Sequence, residues 1–199
     1  MTEDLKKAFL AEALSMLPIY GWGAELINNI EEQTGYNNIF SSTKDLVTYH
    51  LEQNDHHMLN KLEEMEPQNL KVREKIKQAL LIRFDLHDYA VTKETAKYLM
   101  MPKNSDLAVM SLAKSCDQIW VFAGDQSTDF NYYTKRTLLG AVYSASLVFY
   151  LKRAEDDNFS YKDLELFIEA RIADTLKLGA FKAKIKDKIT ALFTNCKRT

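Results

Sequence analysis

Only six glycines and three prolines interrupt 199 residues, and so few turn formers commit the chain to long helices. Apolar residues recur at helical spacing, as in Leu5, Phe9 and Ala13, and no stretch alternates in the manner of a strand. A first helix is expected over about 3–17, ahead of Pro18, and a short second one is closed by Gly35. A long helix starts from a cap among Ser41, Ser42 and Thr43 and ends before Pro67. The next covers 70–90, with Leu70, Val72, Ile76, Ala79 and Leu80 inward, and a short one stops at Pro102. Ser105 caps a helix that runs to Phe122 and meets Gly124. Further helices follow over about 130–153, over 161–178 between Ser160 and Gly179, and over 180–194. The expected fold is all-α, with nine or ten helices in one structural domain.

Charge is unevenly spread. The chain carries −2 overall, yet residues 1–66 hold 12 acids against 4 Lys or Arg, and residues 177–199 hold 7 Lys or Arg against one acid. A basic tail on an acidic body suits an anionic partner at the tail, a membrane surface before a nucleic acid. Cys116 and Cys196 lie far apart and form no metal spacing. The longest nearly uncharged apolar run, Thr137 to Leu151, is 15 residues, too short to span a bilayer. The start, "MTEDLKKAFL", has acids at once, no apolar core of signal length, and no Arg-rich, acid-poor transit character. The location expected from this is a bacterial cytoplasm, with peripheral attachment to a membrane.

The oddest stretch is "FAGDQSTDFNYYTKR", residues 122–136, set between two apolar segments. A buried segment cannot leave Asp125 and Asp129 unpaired, and a plain connector needs few aromatics. One reading is a helix-terminus cap by Ser127 and Asp129. The other adds a docking patch of Asp129, Tyr132, Tyr133 and Arg136, residue types that carry binding energy in a polar surround. Asp125 and Asp129 are also the best acid–base pair on offer, but no His or Cys stands beside them, and no catalytic residue is assigned. His56 and His57 are adjacent and diverge by about 100° around a helix. With His50 they read as a solvated face, and no metal site is expected.

The helix over 130–153 is apolar nearly all round after Arg136, so it is expected to be buried. Gly140 with Ser144, and Ala141 with Ala145, form small strips that either let a neighbouring helix approach or leave room for a slender ligand. Leu139, Gly140, Tyr143, Ser144 and Leu147 are the candidate lipid-lining residues, and Phe149 and Tyr150 extend an uncharged wall suited to hydrocarbon. In the tail, Phe181, Ile185, Ile189, Leu192 and Phe193 share one face, flanked by Lys182, Lys184, Lys186 and Lys188. That is the pattern of an interfacial helix or of a terminal helix packed on the core. Phe181, Lys182, Lys184, Ile185, Lys188 and Ile189 are its candidate membrane contacts.

Two resemblances follow from these residues. "NIFSSTKDLVTYHL" resembles the turn into the fourth helix of TetR-type regulators, although Gly35 and Phe40 are separated by only four residues and the segment is acidic. A working recognition helix and phosphate binding need more than this. "IWVFAGDQSTDFNYYTKRTLLGAVYSASLVFYL" followed by "FIEARIADTLKLG" resembles the accessory lipid-binding family of ubiquinone synthesis, the ninth Coq protein, with Tyr132 where that family usually has Trp. The resemblance implies a TetR-like all-α fold: a degenerate helix-turn-helix part over 1–66, a lipid-binding core over 67–179 and a basic amphipathic helix over 180–199. It implies a non-catalytic homodimer without cofactor or DNA. Such a protein binds the isoprenoid tail of quinone intermediates, sits on the membrane, and presents its cargo to the di-iron demethoxyubiquinone hydroxylase. A TetR-like, ligand-sensing transcription regulator is the alternative, and an α-helical enzyme a more distant one.

Overall fold

The structure is a computed structural model that describes residues 3–65, 69–86, 88–127, 130–175 and 177, with Phe130 by its backbone alone. Every regular element among them is helical. α1 (Glu3–Tyr20) and α2 (Ala24–Thr34) pack together, and α3 (Thr43–Glu64) is the long central helix. α4 (Val72–Asp85) and α5 (Tyr89–Met100) follow, then a 3₁₀ turn (Pro102–Asn104). α6 (Ser105–Phe122) pairs with α7 (Phe130–Arg153), and α8 covers 161–175.

The helix ends have physical causes. Ser42 caps α3, its hydroxyl accepting from the Asp45 backbone N–H at 3.2 Å. Gly35 closes α2 at φ 72°, a left-handed conformation that favours glycine. Ser160 and Asp163 form a reciprocal capping box at α8, with Ser160 N–H donating to the Asp163 carboxylate and Asp163 N–H to the Ser160 hydroxyl. Three expectations are corrected. α1 runs through Pro18, because only its last turn lies beyond the missing donor and Gly21 N–H still closes onto the Leu17 carbonyl. Ser105 is the first residue of α6, and its predecessor Asn104 makes no side-chain cap. The two helices expected over 70–90 and up to Pro102 divide earlier than expected, because α4 ends at Asp85 and α5 starts at Tyr89. Of the residues expected inward, Leu70 and Val72, before and at the start of α4, are exposed, whereas Ile76, Ala79 and Leu80 are buried.

Two apolar clusters make the core. Phe9, Leu17, Leu26, Ile30 and Phe40 gather at one end, and Phe84, Ile119, Val142, Leu164 and Ile168 at the other. α3 serves both, through Leu46 and Leu51 in the first and Met58 and Leu62 in the second. Lys77 of α4 fastens α8 by reaching Glu169 at 2.7 Å and Glu165 at 3.2 Å. Phe149 of α7 stacks on Phe167 of α8 with ring centroids 4.2 Å apart. Between α2 and α3, residues 35–42 form turns only, so no helix stands where a DNA-reading helix would.

Candidate functional site

The stretch after α6 is a charged clamp. The Asp125 side chain is only 3% exposed, and it takes Lys135 Nζ at 2.5 Å and Arg136 Nη1 at 3.1 Å. The Ser127 hydroxyl donates to it at 2.8 Å. Arg136 Nε also donates to Asp117 of α6 at 2.6 Å, and its guanidinium lies 3.4 Å from the centre of the Tyr132 ring. The Tyr132 hydroxyl closes the circuit by donating to Asp117 at 2.9 Å. Burial alone would raise the Asp125 carboxyl, but hydrogen bonds from Lys135, Ser127 and Arg136 outweigh it and hold the group far below the usual carboxylate range. A carboxylate so firmly ionised and paired is a structural anchor, not a proton donor at neutral pH. Asp129, the other half of the expected pair and part of the expected patch, lies outside the described residues.

The clamp redistributes the expected docking patch. Arg136 and Tyr132 are engaged within the turn, and Tyr133, 69% exposed, meets Tyr132 edge-on. Val121, at the end of α6, is exposed as well. Sequence spacing could have shown Lys135 and Arg136 on the first turns of α7, but not that both reach back to one carboxylate.

A cavity of about 340 Å³ lies where the two apolar clusters meet. α7 contributes Tyr143, Ser144, Leu147, Val148 and Leu151 to its wall, and α5 contributes Val91, Ala96 and Leu99. Three of the five candidate lipid-lining residues, Tyr143, Ser144 and Leu147, are therefore at the cavity. The other two are not. Leu139 belongs to the second core cluster, and Gly140 faces α6, where a Cβ would meet Leu112 at 3.6 Å and Cys116 at 3.8 Å. The small residue at 140 serves a helix seam. Phe149 and Tyr150 turn away from the cavity, toward Phe167 and toward Phe84 and Tyr89. α7 is also less buried than expected, for Thr137, Ala141, Ser144 and Val148 form an exposed, uncharged strip.

The floor of the cavity mixes polar side chains with the buried apolar Leu51, Phe84 and Val91. Arg83, His50, Asn54, Thr95 and Ser115 line it. Arg83 Nη2 pairs with Asp55 Oδ1 at 3.4 Å, and the Ser115 hydroxyl donates to the same oxygen at 2.7 Å. Burial pushes the Asp55 carboxyl upward, against the pull of Arg83 and Ser115. Trp22 Nε1 donates to Thr95 at 3.1 Å, and Asn54 Nδ2 donates to His50 Nε2 at 3.2 Å. His50 is thus buried against Trp22, contrary to the expected solvated face, while His56 and His57 are exposed. Sequence reasoning missed this floor, although Asp55 falls in register with Leu51, Met58 and Leu62 on the buried face of α3. Among the described residues no three His, Cys, Asp or Glu side chains converge as a metal site. Burial pushes the Cys116 thiol up to about 12, which removes it as a nucleophile at neutral pH. Among the described residues no helix is long and apolar enough to cross a membrane. The expected membrane contacts from Phe181 to Ile189 lie outside the described residues.

Residues 106–179, which hold the clamp and the α7 wall of the cavity, match the COQ9 family model. Over these residues the chain is similar to the COQ9 family. It is 27% identical to the human "Ubiquinone biosynthesis protein COQ9, mitochondrial" over 96% of its own length and 63% of that protein's. It is 28% identical to the "Probable ubiquinone biosynthesis protein coq9, mitochondrial" of Dictyostelium discoideum, covering 94% of this chain and 64% of the relative. The chain thus spans less than two thirds of these COQ9 relatives. A TetR transcriptional regulator from Nitrosomonas europaea superposes with a TM-score of 0.70 at 15% identity, over 87% of this chain and 99% of the regulator, which makes the fold TetR-like. The expected bacterial, cytoplasmic location is overturned, because the COQ9 relatives are named mitochondrial proteins. With so much of their length unmatched, the first residues here carry no information about a leader.

Proposed function

We propose that this protein acts in ubiquinone biosynthesis as a non-catalytic lipid carrier, which binds isoprenoid quinone intermediates and hands them to the di-iron demethoxyubiquinone hydroxylase. The observation that carries the proposal is the 340 Å³ cavity, walled by uncharged side chains of α5, α6 and α7, in a chain whose residues 106–179 match the COQ9 family model. Each five-carbon isoprene unit costs roughly 3–4 kcal/mol to expose to water at about 0.8 per carbon, and a unit held in the cavity is spared that cost when the lipid leaves a bilayer. Leu147→Trp fills the wall without disturbing the helix seam. The expected outcome is loss of most co-purified isoprenoid, measured by solvent extraction and mass spectrometry, with the melting temperature kept within a few degrees. Undiminished isoprenoid in a folded variant overturns the carrier reading.

Partner docking is proposed at Tyr133 and Val121, the exposed apolar residues beside the clamp, with the paired Tyr132 and Arg136 fixing the turn that displays them. Tyr133→Ala should weaken capture of the hydroxylase by about tenfold or more, as hot-spot truncations do, while lipid content stays unchanged. Normal capture by the folded variant removes the patch. By its sequence, the 180–199 segment is proposed to rest on anionic membrane, and its deletion should reduce flotation with anionic liposomes in a salt-dependent way. Flotation that survives the deletion contradicts that role. A second copy is proposed to cover the uncharged α7 strip at Thr137 and Ala141, clear of the cavity rim, and sedimentation as a monomer at micromolar concentration would rule this out. The turn over 35–42 and the acidic N-terminal part weigh against the transcription-regulator alternative.

A further inference from the structure

The buried part of the cavity lining is mixed. His50, Thr95, Asn54 and Ser115 are buried and the Arg83 side chain is only 6% exposed, beside the apolar Leu51, Phe84, Val91 and Ala96. The rim is open to solvent, with Met100 80% exposed and Val148 52% exposed. A hydrocarbon tail pushed end-first onto these polar groups would take their water and return no hydrogen bond.

Arg83 sharpens the point. Its Nε is buried and has no hydrogen-bond partner among the described residues, although the arginine lines the cavity. Buried donors are rarely left so, and a ligand oxygen is the natural acceptor. Asp55, behind Arg83 at 3.4 Å, balances its charge. A phosphate or carboxylate would therefore arrive at the floor as an uncompensated buried charge. A neutral carbonyl or phenolic oxygen accepts the same hydrogen bond without that cost. Size agrees. At about 340 Å³ the cavity is at the small end of ligand pockets, with room for a ring and the start of a chain but not for a long tail.

We infer that the cavity holds its ligand head-inward, with a neutral oxygen-bearing ring on the Arg83–Ser115 floor and the hydrocarbon tail leaving over the rim at Met100 and Val148. The inference rests on the carrier reading and deepens it. The reactive ring is shielded while it is carried and is presented only when the cargo slides out along α7.

The probes are a decyl-substituted dimethoxybenzoquinone and decylbenzene, which keeps the ring and the chain but has no oxygen. Each competes with an apolar dye bound to the full chain, in wild type and in the double variant Arg83→Met, Asp55→Leu, with melting followed in parallel. A second readout is fluorescence in Trp120→Phe, where Trp22 is the one remaining of the two tryptophans. Trp22 donates to Thr95 at the floor, within reach of a quenching quinone ring placed there. The expected result is saturable quenching of Trp22 by the quinone. The double variant should bind the quinone at least tenfold more weakly while binding decylbenzene no worse than wild type. Equal binding of both probes by both proteins, with Trp22 unquenched, overturns the head-inward placement and leaves the carrier reading standing. Failure of both probes to displace dye from wild type overturns the carrier reading, and this inference with it. If the double variant does not fold, the Trp22 signal alone decides, quenching supporting the placement and its absence contradicting it.

Discussion

Asp125→Ala should lower the unfolding free energy by about 3 kcal/mol, because it removes one acceptor shared by two cations. Breaking a buried pair from one side leaves the other charge uncompensated and costs about 3–5 kcal/mol. Lys135 is partly exposed and recovers water, and Arg136 keeps Asp117, so the lower end applies here. The pH dependence has a defined sign. The Asp125 carboxyl is depressed in the folded state, so its contribution is present in full above the unfolded carboxylate value of about 3.9 and is lost as pH falls toward the folded value. Urea titrations of wild type and Asp125→Asn should therefore differ by a constant amount above about pH 5, and the gap should shrink below about pH 4. A gap that widened in acid would contradict the ion-pair assignment.

Asp55→Ala should be as damaging or more so, at about 3–5 kcal/mol, since it strands the Arg83 guanidinium deep in the cavity floor. Arg83→Met with Asp55→Leu should recover most of that loss, because an apolar pair of similar volume has no charge to desolvate. The two single changes are thus expected to be strongly non-additive, by more than about 1 kcal/mol in a double-mutant cycle. Additive effects in chemical denaturation would mean that the two side chains do not act as a pair. Since Arg83 is part of the proposed headgroup seat, stability and ligand selectivity should separate in the double variant, which is expected to fold but lacks the Arg83 donor.

Much of the architecture is legible in the residues. Scarce glycine and proline, apolar spacing near 3.6 and caps such as Ser42, Gly35 and Ser160 place the helices to within a few residues. What failed locally failed for a reason. No glycine or proline marks the boundary between α4 and α5, and so the first of the two helices reads a few residues too long. The small strip on α7 was ambiguous because Gly140 and Ser144 are four apart yet meet different things, an α6 seam and the cavity rim. The composition of "AGDQSTDFN" flagged a special segment, but ion pairs form across a turn and depend on where Arg136 and Asp117 lie in space. The polar floor was least legible of all. Its members come from α3, α4, α5 and α6, and no local spacing joins Asp55, Arg83, Thr95 and Ser115.

Native mass spectrometry of the full chain, purified without detergent from cells that make isoprenoid quinones, tests the central claim most directly. The expected spectrum shows the protein with one retained adduct per chain, which on collisional release fragments as a prenylated benzenoid ring. A spectrum of bare chain alone, or an adduct with no isoprenoid signature, would contradict it.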